Sequence, residues 1–145
     1  IFSRQNVRTL NEVPVATRRE GTLKGGYVAK KEAGALTHII IAAGSEVQWA
    51  LDAAKELGEG VRVVSMPCME LFDRQSDTYK AEVLPASCTK RVAIEAGVSG
   101  LWYKYVGLDG KVIGTDSFGF SAPGDVVLNS FGINSDNVVS TAKAL

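Results

Sequence analysis

The sequence predicts an α/β domain, an α/β sandwich in which helices cover both faces of a parallel sheet. Three apolar runs rich in β-branched residues are typical of strands buried on both faces, at residues 36–43, 61–66 and 91–95. Segments with helical character separate these runs, so the order strand–helix–strand occurs twice. Parallel strands need such crossover connections, and right-handed crossovers are their default.

The composition fits one globular domain and excludes several classes of protein. The chain has 145 residues, 46% hydrophobic and 22% charged, which is enough to bury a core of its own. Sixteen Lys and Arg balance sixteen Asp and Glu, and this zero net charge argues against a nucleic-acid or anionic-membrane surface. No apolar run approaches the roughly 20 residues of a membrane span. We expect a cytoplasmic protein that binds neither nucleic acid nor membrane.

The first 25 residues are predicted to connect this domain to a preceding one. The chain begins Ile1-Phe2-Ser3-Arg4 without an initiator Met, and its apolar start suggests the tail of a strand cut from a longer polypeptide, with trimming or purification as the alternative. Residues 5–25 are polar and rich in turn formers, and we expect them to cross a surface without regular structure. A short strand is predicted at 27–30.

The first strand–helix unit follows this connector. Its strand, at 36–43, stops at Gly44, and Ser45 and Gln48 then have the spacing of a capping box. Apolar residues recur at helical spacing after this box. Gly58 is placed to end the helix in a left-handed conformation.

The second unit has equally clear boundaries. Its strand at 61–66 is closed by Pro67, and a short helix is predicted at 76–84 because Pro85 prevents extension. The next strand, at 91–95, completes the unit.

The C-terminal third predicts a tight turn and two helices. Asp109-Gly110 is a tight-turn dipeptide that we expect between short extended pieces, the second ending at 111–113. Ser121 is the expected cap of a helix that ends at Gly132, with Pro123 in its first turn. Its inward-facing residues are expected to be Val126, Val127 and Phe131. A last helix is predicted from about Ser135, with Val138, Val139, Ala142 and Leu145 as its apolar stripe.

Candidate catalytic residues are few, and each has a structural alternative. His38 lies within the most apolar strand, where a packed or edge histidine is favoured over a catalyst. Cys68 and Cys88 are too widely spaced for a redox motif; free buried thiols are the simplest interpretation, with a single disulfide as the alternative. Glu95 ends a strand at the edge where α/β ligand sites form, so acid–base chemistry is conceivable there. A hydrogen-bonded structural role is favoured for it.

Two glycine-containing segments match phosphate-binding loops only in part. Residues 119–124 have the glycine spacing of a P-loop, but Asp125 and Val126 stand where its Lys and Ser/Thr should follow. Residues 44–46 place a helix N-terminus at the carboxyl end of a strand, where anions can bind. Because the carboxylate of Glu46 already interacts with the positive end of the helix dipole, ordinary helix capping is favoured over anion binding.

Two further features could contact a ligand. Trp102, Tyr103 and Tyr105 form an aromatic cluster among glycines, for which burial against the sheet or a partner subunit is favoured over ligand stacking. Arg4 directly follows the apolar stub, where a guanidinium can make a bidentate contact with phosphate; a surface salt bridge is the alternative.

An ordered series of short motifs resembles the C-terminal end of transketolase. Two of them are the most informative, Ser3-Arg4-Gln5-Asn6 and Phe118-Gly119-Phe120-Ser121-Ala122-Pro123. The others lie at residues 24–28, 43–47, 62–67, 71–75, 83–85, 93–97, 102–107 and 131–133. The series covers nearly the whole chain in family order.

The resemblance implies a parent enzyme of the pentose phosphate pathway that moves a two-carbon ketol unit between sugar phosphates. That family uses thiamine diphosphate and Mg²⁺, held between its first two domains at a dimer interface. Residues 1–25 would then be the tail of the pyrimidine-binding domain with its connector, and 26–145 the third domain. This implies a mostly parallel five-stranded sheet with one antiparallel strand, helices on both faces, and a structural, homodimer-supporting role.

Among residues, the resemblance assigns a role to Arg4 alone, as the ligand of the substrate's phosphate. It implies no catalytic, cofactor-binding or metal-binding residue in this chain, which we expect to be inactive by itself. Two alternatives remain open. One is another thiamine-diphosphate enzyme, such as a 1-deoxyxylulose-5-phosphate synthase or a 2-oxo acid dehydrogenase β-subunit, and the other is a stand-alone binding or regulatory module.

Overall fold

The computed structural model of the chain describes residues 6–145. The strands are β1 Tyr27–Lys30, β2 His38–Ala42, β3 Val61–Ser65, β4 Arg91–Ile94 and β5 Lys111–Ile113. The helices are α1 Val15–Leu23, α2 Val47–Leu57, α3 Met69–Asp73, α4 Asp77–Val83, α5 Tyr103–Val106, α6 Gly124–Ser130 and α7 Ser135–Lys143. Short 3-10 turns at Gly44–Glu46 and Ser99–Trp102 precede α2 and α5.

The five strands form one mixed sheet in the order β1-β3-β2-β4-β5. Only the edge strand β1 is antiparallel to its neighbour; the other three pairings are parallel. In the centre of the sheet, Ile40 of β2 stands beside Val63 of β3 and Val92 of β4. The predicted fold, a mostly parallel five-stranded sheet with one antiparallel strand, is confirmed.

Apolar side chains of the sheet divide between two cores. Along β2, Ile40 and Ala42 face one side and Ile39 and Ile41 the other, and all four are fully buried. Helices α2 and α7 cover the first side, whereas α3, α4 and α5 contribute to the second. Burial on both faces explains why the central strands are continuous apolar runs. None of the helices within residues 6–145 is both long and apolar enough to cross a membrane.

The connector contains regular structure, so the prediction that residues 5–25 are irregular is wrong. Helix α1 occupies Val15–Leu23 and packs against β1. Its contact depends on a glycine, because a Cβ at Gly21 would overlap the ring of Tyr27. Glycine normally disfavours a helix, but here it permits the close approach of α1 to the ring of Tyr27 that holds the helix in place.

Two predicted helix caps are also wrong. Ser45 does not cap α2; it lies in the preceding 3-10 turn, and its hydroxyl donates to Glu46 Oε1 at 2.6 Å. Ser121 does not cap α6, which begins after Pro123 without a side-chain cap. Gly58, by contrast, ends α2 with a φ of 98°, a backbone angle that L side chains rarely adopt.

The segments around β5 differ most from expectation. The piece before the Asp109-Gly110 turn is not extended, since α5 occupies Tyr103–Val106. The prediction that Val126 faces inward is wrong, since no residue of α6 is buried and Val126 is 49% exposed. Phe131, just after the helix, is half-buried and packs against the core as predicted. Helix α7 agrees with its prediction, with Val138, Val139 and Ala142 buried.

One buried ion pair connects the loop after β1 to the centre of the sheet. Arg62 of β3 is 7% exposed and binds Glu32 bidentately, with Nε to Oε2 at 2.7 Å and Nη2 to Oε1 at 2.5 Å. Its Nη1 donates to the carbonyl oxygens of Glu82 and Val83 at the end of α4. The hydrogen bonds from Arg62 hold the pKa of the Glu32 carboxyl below its ordinary range.

Replacing Glu32 tests this pair. Glu32→Gln should lower the free energy of unfolding by about 3 kcal/mol at pH 7, because it leaves the buried Arg62 charge uncompensated. Since the pKa of Glu32 is lower in the folded than in the unfolded state, its stabilisation is complete above the unfolded pKa and is lost as pH falls through the folded pKa. Urea unfolding at several pH values from 7 down to 3 should therefore show the wild-type advantage shrinking below about pH 5.

The exposed Glu59 supplies the matched control. Glu59→Gln should change stability by less than about 0.5 kcal/mol over the same pH range. Equal losses in the two variants, or a wild-type advantage that stays constant down to pH 3, would contradict the role assigned to the pair.

Candidate functional site at the carboxyl edge of the sheet

The fold has one topological switch point, between the carboxyl ends of β2 and β4. From β2 the chain crosses to β3 on one side, and from β3 it returns to β4 on the other. Open α/β sheets bind ligands in the crevice outside such a point. The segments that border it are residues 43–46 after β2 and 95–98 after β4. They bring a glutamate to each side of the crevice.

Glu46 is held within the structure. Its side chain lies at the start of α2, is only 4% exposed, and accepts the hydroxyl of Ser45. A carboxylate in the first turn also interacts favourably with the positive end of the helix dipole. Because this negative charge stands where an incoming anion would bind, residues 44–46 make a poor phosphate site.

Glu95 is likewise engaged by a neighbouring side chain. The Nε1 of Trp102 donates to its Oε2 at 2.8 Å, and the Trp102 side chain is fully buried. The hydrogen bond ties the end of β4 to the 3-10 turn at Ser99–Trp102. This geometry supports the structural role favoured for Glu95.

The aromatic cluster divides into a buried and an exposed part. Trp102 and Tyr105 pack edge to face with ring centroids 6.2 Å apart, whereas Tyr103 is 56% exposed. The Tyr105 hydroxyl donates to Asp73 Oδ1 at 3.1 Å, and Lys104 binds the other oxygen of that carboxylate at 2.6 Å. Burial, followed by the bond to Asp73, raises the pKa of Tyr105, and Lys104 lowers that of Asp73.

Asp73 was not among the candidate residues of the sequence. It lies 32 positions before Tyr105, so no local pattern relates the two residues. Its carboxylate completes the packing of the aromatic pair against α3, and Lys104 lies in the same ion pair. The arrangement ties Tyr105 and Asp73 to one another and supports a structural role for the cluster.

The remaining candidates lie apart from the crevice. His38 begins β2 at the amino edge, and burial followed by the charge of Lys90 lowers its pKa. Cys88 also lies at that edge, where burial raises the pKa of its thiol. Cys68 follows β3 at the carboxyl edge and is half-buried rather than buried. Both thiols are free, so the single disulfide is not formed.

Neither a metal centre nor a phosphate loop can be assembled from the described part of the chain. Within residues 6–145, no group of three or more His, Cys, Asp or Glu side chains is arranged to hold a metal ion. Residues 119–124 are exposed and lead into α6, whose first turn carries Asp125. The residues present therefore do not fit a magnesium–diphosphate group. Arg4, the predicted phosphate ligand, lies outside the described residues.

Comparison with known families gives one family over most of the chain. The transketolase-like TK C-terminal domain family matches residues 25–134. Among curated proteins, the transketolase of Physarum polycephalum is 59% identical over 141 residues, which are 97% of this chain and 21% of that protein. The transketolase of Dictyostelium discoideum is 60% identical over 126 residues, covering 87% of this chain and 19% of that protein.

Solved structures agree with these relatives. Transketolase from Leishmania mexicana superposes with a TM-score of 0.86 at 43% identity, covering 98% of this chain and 20% of that chain. Transketolase from Campylobacter jejuni superposes with a TM-score of 0.75 at 33% identity, covering 86% of this chain and 19% of that chain. The chain thus spans about a fifth of the length of the relatives it matches.

Substitution of Trp102 tests whether its hydrogen bond to Glu95 stabilises the segments that border the crevice. Trp102→Phe should lower the free energy of unfolding by about 2 kcal/mol, because it removes the donor to Glu95 and part of a fully buried ring. Urea denaturation followed by circular dichroism measures the loss.

The neighbouring exposed aromatic residue serves as the control. Tyr103→Phe should shift stability by less than about 0.5 kcal/mol. Glu95→Gln keeps an oxygen acceptor for the indole and should cost less than Trp102→Phe. A stability of Trp102→Phe equal to that of the wild type would contradict the assignment.

Proposed function

Because this chain belongs to the transketolase family, as its C-terminal domain, we propose that it is the third domain of an enzyme that transfers a two-carbon ketol unit between sugar phosphates. The supporting observation is the family match over residues 25–134 together with relatives that are 59% and 60% identical. The ordered motifs from Ser3 to Ile133 support the same assignment.

In this proposal the domain is structural and the chemistry belongs to the rest of the parent. The polar groups at the carboxyl edge are engaged with one another, as Glu46 with Ser45 and Glu95 with Trp102. Thiamine diphosphate supplies carbanion chemistry when bound, and with Mg²⁺ it would be held by the two preceding domains. Within residues 6–145 no cluster of His, Cys, Asp or Glu side chains could hold the metal ion, and we assign no reaction step to these residues.

The proposal extends to domain limits and assembly. Residues 1–25 would be the end of the pyrimidine-binding domain and its connector, and 26–145 the third domain. The family match, which begins at residue 25, supports this limit, although α1 packs on β1 and belongs to the same structural unit. The parent would be a cytoplasmic homodimer, as the resemblance implies.

Arg4 is the one residue of this chain that we propose touches substrate. It stands in the Ser-Arg-Gln-Asn motif, directly before the connector. A guanidinium presents parallel donors that match two phosphate oxygens, so it can fix the phosphate end of a sugar while the reacting carbons are held elsewhere. Its role is to position the substrate and not to transfer protons.

The test of the function is an assay of the complete protein. The longest polypeptide that contains this segment should be expressed with thiamine diphosphate and Mg²⁺ and assayed for ketol transfer from a ketose phosphate to an aldose phosphate. Transfer that depends on the diphosphate supports the proposal. An inactive but folded and cofactor-loaded protein would contradict it.

The substitution Arg4→Ala tests the assigned contact in that enzyme. KM for phosphorylated sugars should rise about 10- to 100-fold, the effect of losing one charge-assisted bond worth roughly 1.5–3 kcal/mol. Unphosphorylated acceptors should be nearly unaffected. Steady-state kinetics with both acceptor classes measures the difference.

Arg8 gives a matched control for this substitution. Its guanidinium binds Glu12 at 2.7 Å and Asp52 at 3.1 Å on the surface, so Arg8→Ala should leave KM for both acceptor classes unchanged. Equal losses of Arg4→Ala on phosphorylated and unphosphorylated acceptors would overturn the phosphate assignment.

The isolated 145-residue chain should bind neither thiamine diphosphate nor Mg²⁺ tightly, because its carboxylates at the carboxyl edge are engaged internally. Isothermal titration calorimetry with each ligand should show no saturable heat at micromolar concentrations. Micromolar binding of the diphosphate to this chain would place part of the cofactor site in this domain.

A further inference from the structure

A small cavity of about 190 Å³ beside the edge strand β1 is lined by residues of α1, β1 and α4. Helix α1 contributes Glu20 and Gly21, and Lys24, directly after the helix, lies one turn beyond Glu20. Helix α4 contributes Tyr79 and Glu82, which share one face of that helix. We call this cavity the α1–α4 groove. It is distinct from the crevice between β2 and β4, because β3 separates β1 from β2.

The ring of Tyr79 already binds a cation. Lys24 Nζ lies 4.5 Å from the ring centroid, within the range of a cation–π contact. The ring itself is fixed, since its hydroxyl donates to the carbonyl oxygen of Gly26 at 2.8 Å and Phe72 packs against it with centroids 6.3 Å apart. The groove therefore contains a preorganised aromatic surface for an ammonium group.

The ammonium group of Lys24 is held by this ring without help from a carboxylate. The comparable contact in residues 6–145 is that of Lys104, which lies 5.6 Å from the ring centroid of Tyr105 but also pairs with Asp73 at 2.6 Å. Lys24 makes no ion pair with any residue of the same range. Because ordering a long side chain costs conformational entropy, a single exposed contact of this kind holds Lys24 weakly. A ligand can displace its ammonium group.

Two carboxylates of the groove are available to such a ligand. Within residues 6–145, neither Glu20 nor Glu82 forms an ion pair. Burial, followed by the charge of Glu82, raises the pKa of Tyr79, as expected for a carboxylate near that ring. With Lys24, the charged side chains of the lining sum to −1, and without its ammonium group they sum to −2. The groove attracts cations and repels anions.

These features select one class of ligand. An aromatic ring face favours an organic ammonium ion, whereas a divalent metal ion needs several converging oxygen ligands. The volume is below the roughly 300 Å³ at which ordinary ligand pockets begin, so the ligand is small. We propose that the α1–α4 groove binds a small alkylammonium ion, which displaces the ammonium group of Lys24 from the ring of Tyr79. This site does not depend on the proposed function.

Saturation-transfer difference NMR with tetramethylammonium tests the proposal on the full-length polypeptide used for the activity assay. Binding should be saturable with a Kd on the order of 1 mM. The uncharged tert-butanol, which has nearly the same shape, should bind at least about tenfold more weakly because it lacks the charge. Equal binding of the two probes, or no saturable binding of the cation, would overturn the proposal.

Removal of the resident ammonium group should strengthen binding. In Lys24→Ser the probe no longer competes with the lysine, and its affinity should rise about tenfold. The matched control is Lys31→Ser, because Lys31 is also exposed but does not line the groove. It removes the same charge and should change the affinity less than about twofold. An unchanged affinity of Lys24→Ser, or equal gains in both variants, contradicts displacement at this site.

Substitutions of Tyr79 separate the ring from its hydroxyl. Tyr79→Phe keeps the ring and should bind the probe within about threefold of the wild type, whereas Tyr79→Leu should lose at least about tenfold. Tyr103→Leu, at a tyrosine 56% exposed outside the groove, should change nothing. Circular dichroism checks the folding of each variant.

The exposed Glu82 provides a test that does not alter the ring. Glu82→Gln should weaken binding of the probe about threefold, because it removes one of the two carboxylates of the lining. Full affinity in a folded Tyr79→Leu variant, or in Glu82→Gln, would show that the cation binds elsewhere and would overturn the proposal.

Discussion

The packing at the amino edge of this sheet depends on two arginines of its central strands. Arg62 of β3 and Arg91 of β4 both direct their guanidinium groups at carbonyl oxygens at and just beyond the end of α4. A helix leaves its last four carbonyls without partners, and burial makes such orphan groups costly. Because α4 belongs to the crossover from β3 to β4, the second strand–helix–strand unit depends on these donors.

The two arginines differ in whether a carboxylate neutralises their charge. Arg62 is neutralised by the carboxylate of Glu32, whereas Arg91 donates to the carbonyls of Leu84, Pro85, Cys88 and Tyr105. Burial accordingly lowers the pKa of Arg91. A guanidinium has five donors in a fixed plane, so one side chain can satisfy several carbonyls that a lysine could not reach together.

Local patterns predicted the features that local physics controls. The run Ile39–Ile41 gave a buried strand and Gly58 a helix end, because composition and backbone freedom act at the residue itself. Helix α1 was not predicted because its stability comes from its contact with β1. The Trp102–Glu95 and Asp73–Tyr105 hydrogen bonds were not predicted because only the fold brings their partners together. The family could be predicted from the sequence for a different reason. The short motifs occur in an order that is specific to the family, whereas hydrophobic periodicity indicates only the type of secondary structure. The predicted cap at Ser45 is an error of the opposite kind. The capping-box spacing is present in the sequence, but Ser45 lies in a 3-10 turn and does not cap the helix.

The zero net charge conceals a separation of charge along the sheet. Residues 1–31 contain seven Lys or Arg and two Asp or Glu, a formal charge of +5, whereas residues 112–142 carry −3. Strands β1 and β5 form opposite edges of the sheet, so the basic side chains of α1 and β1 and the carboxylate of Asp116, which follows β5, lie towards opposite ends of the domain. A balanced total therefore excludes a uniformly basic surface but not a local field.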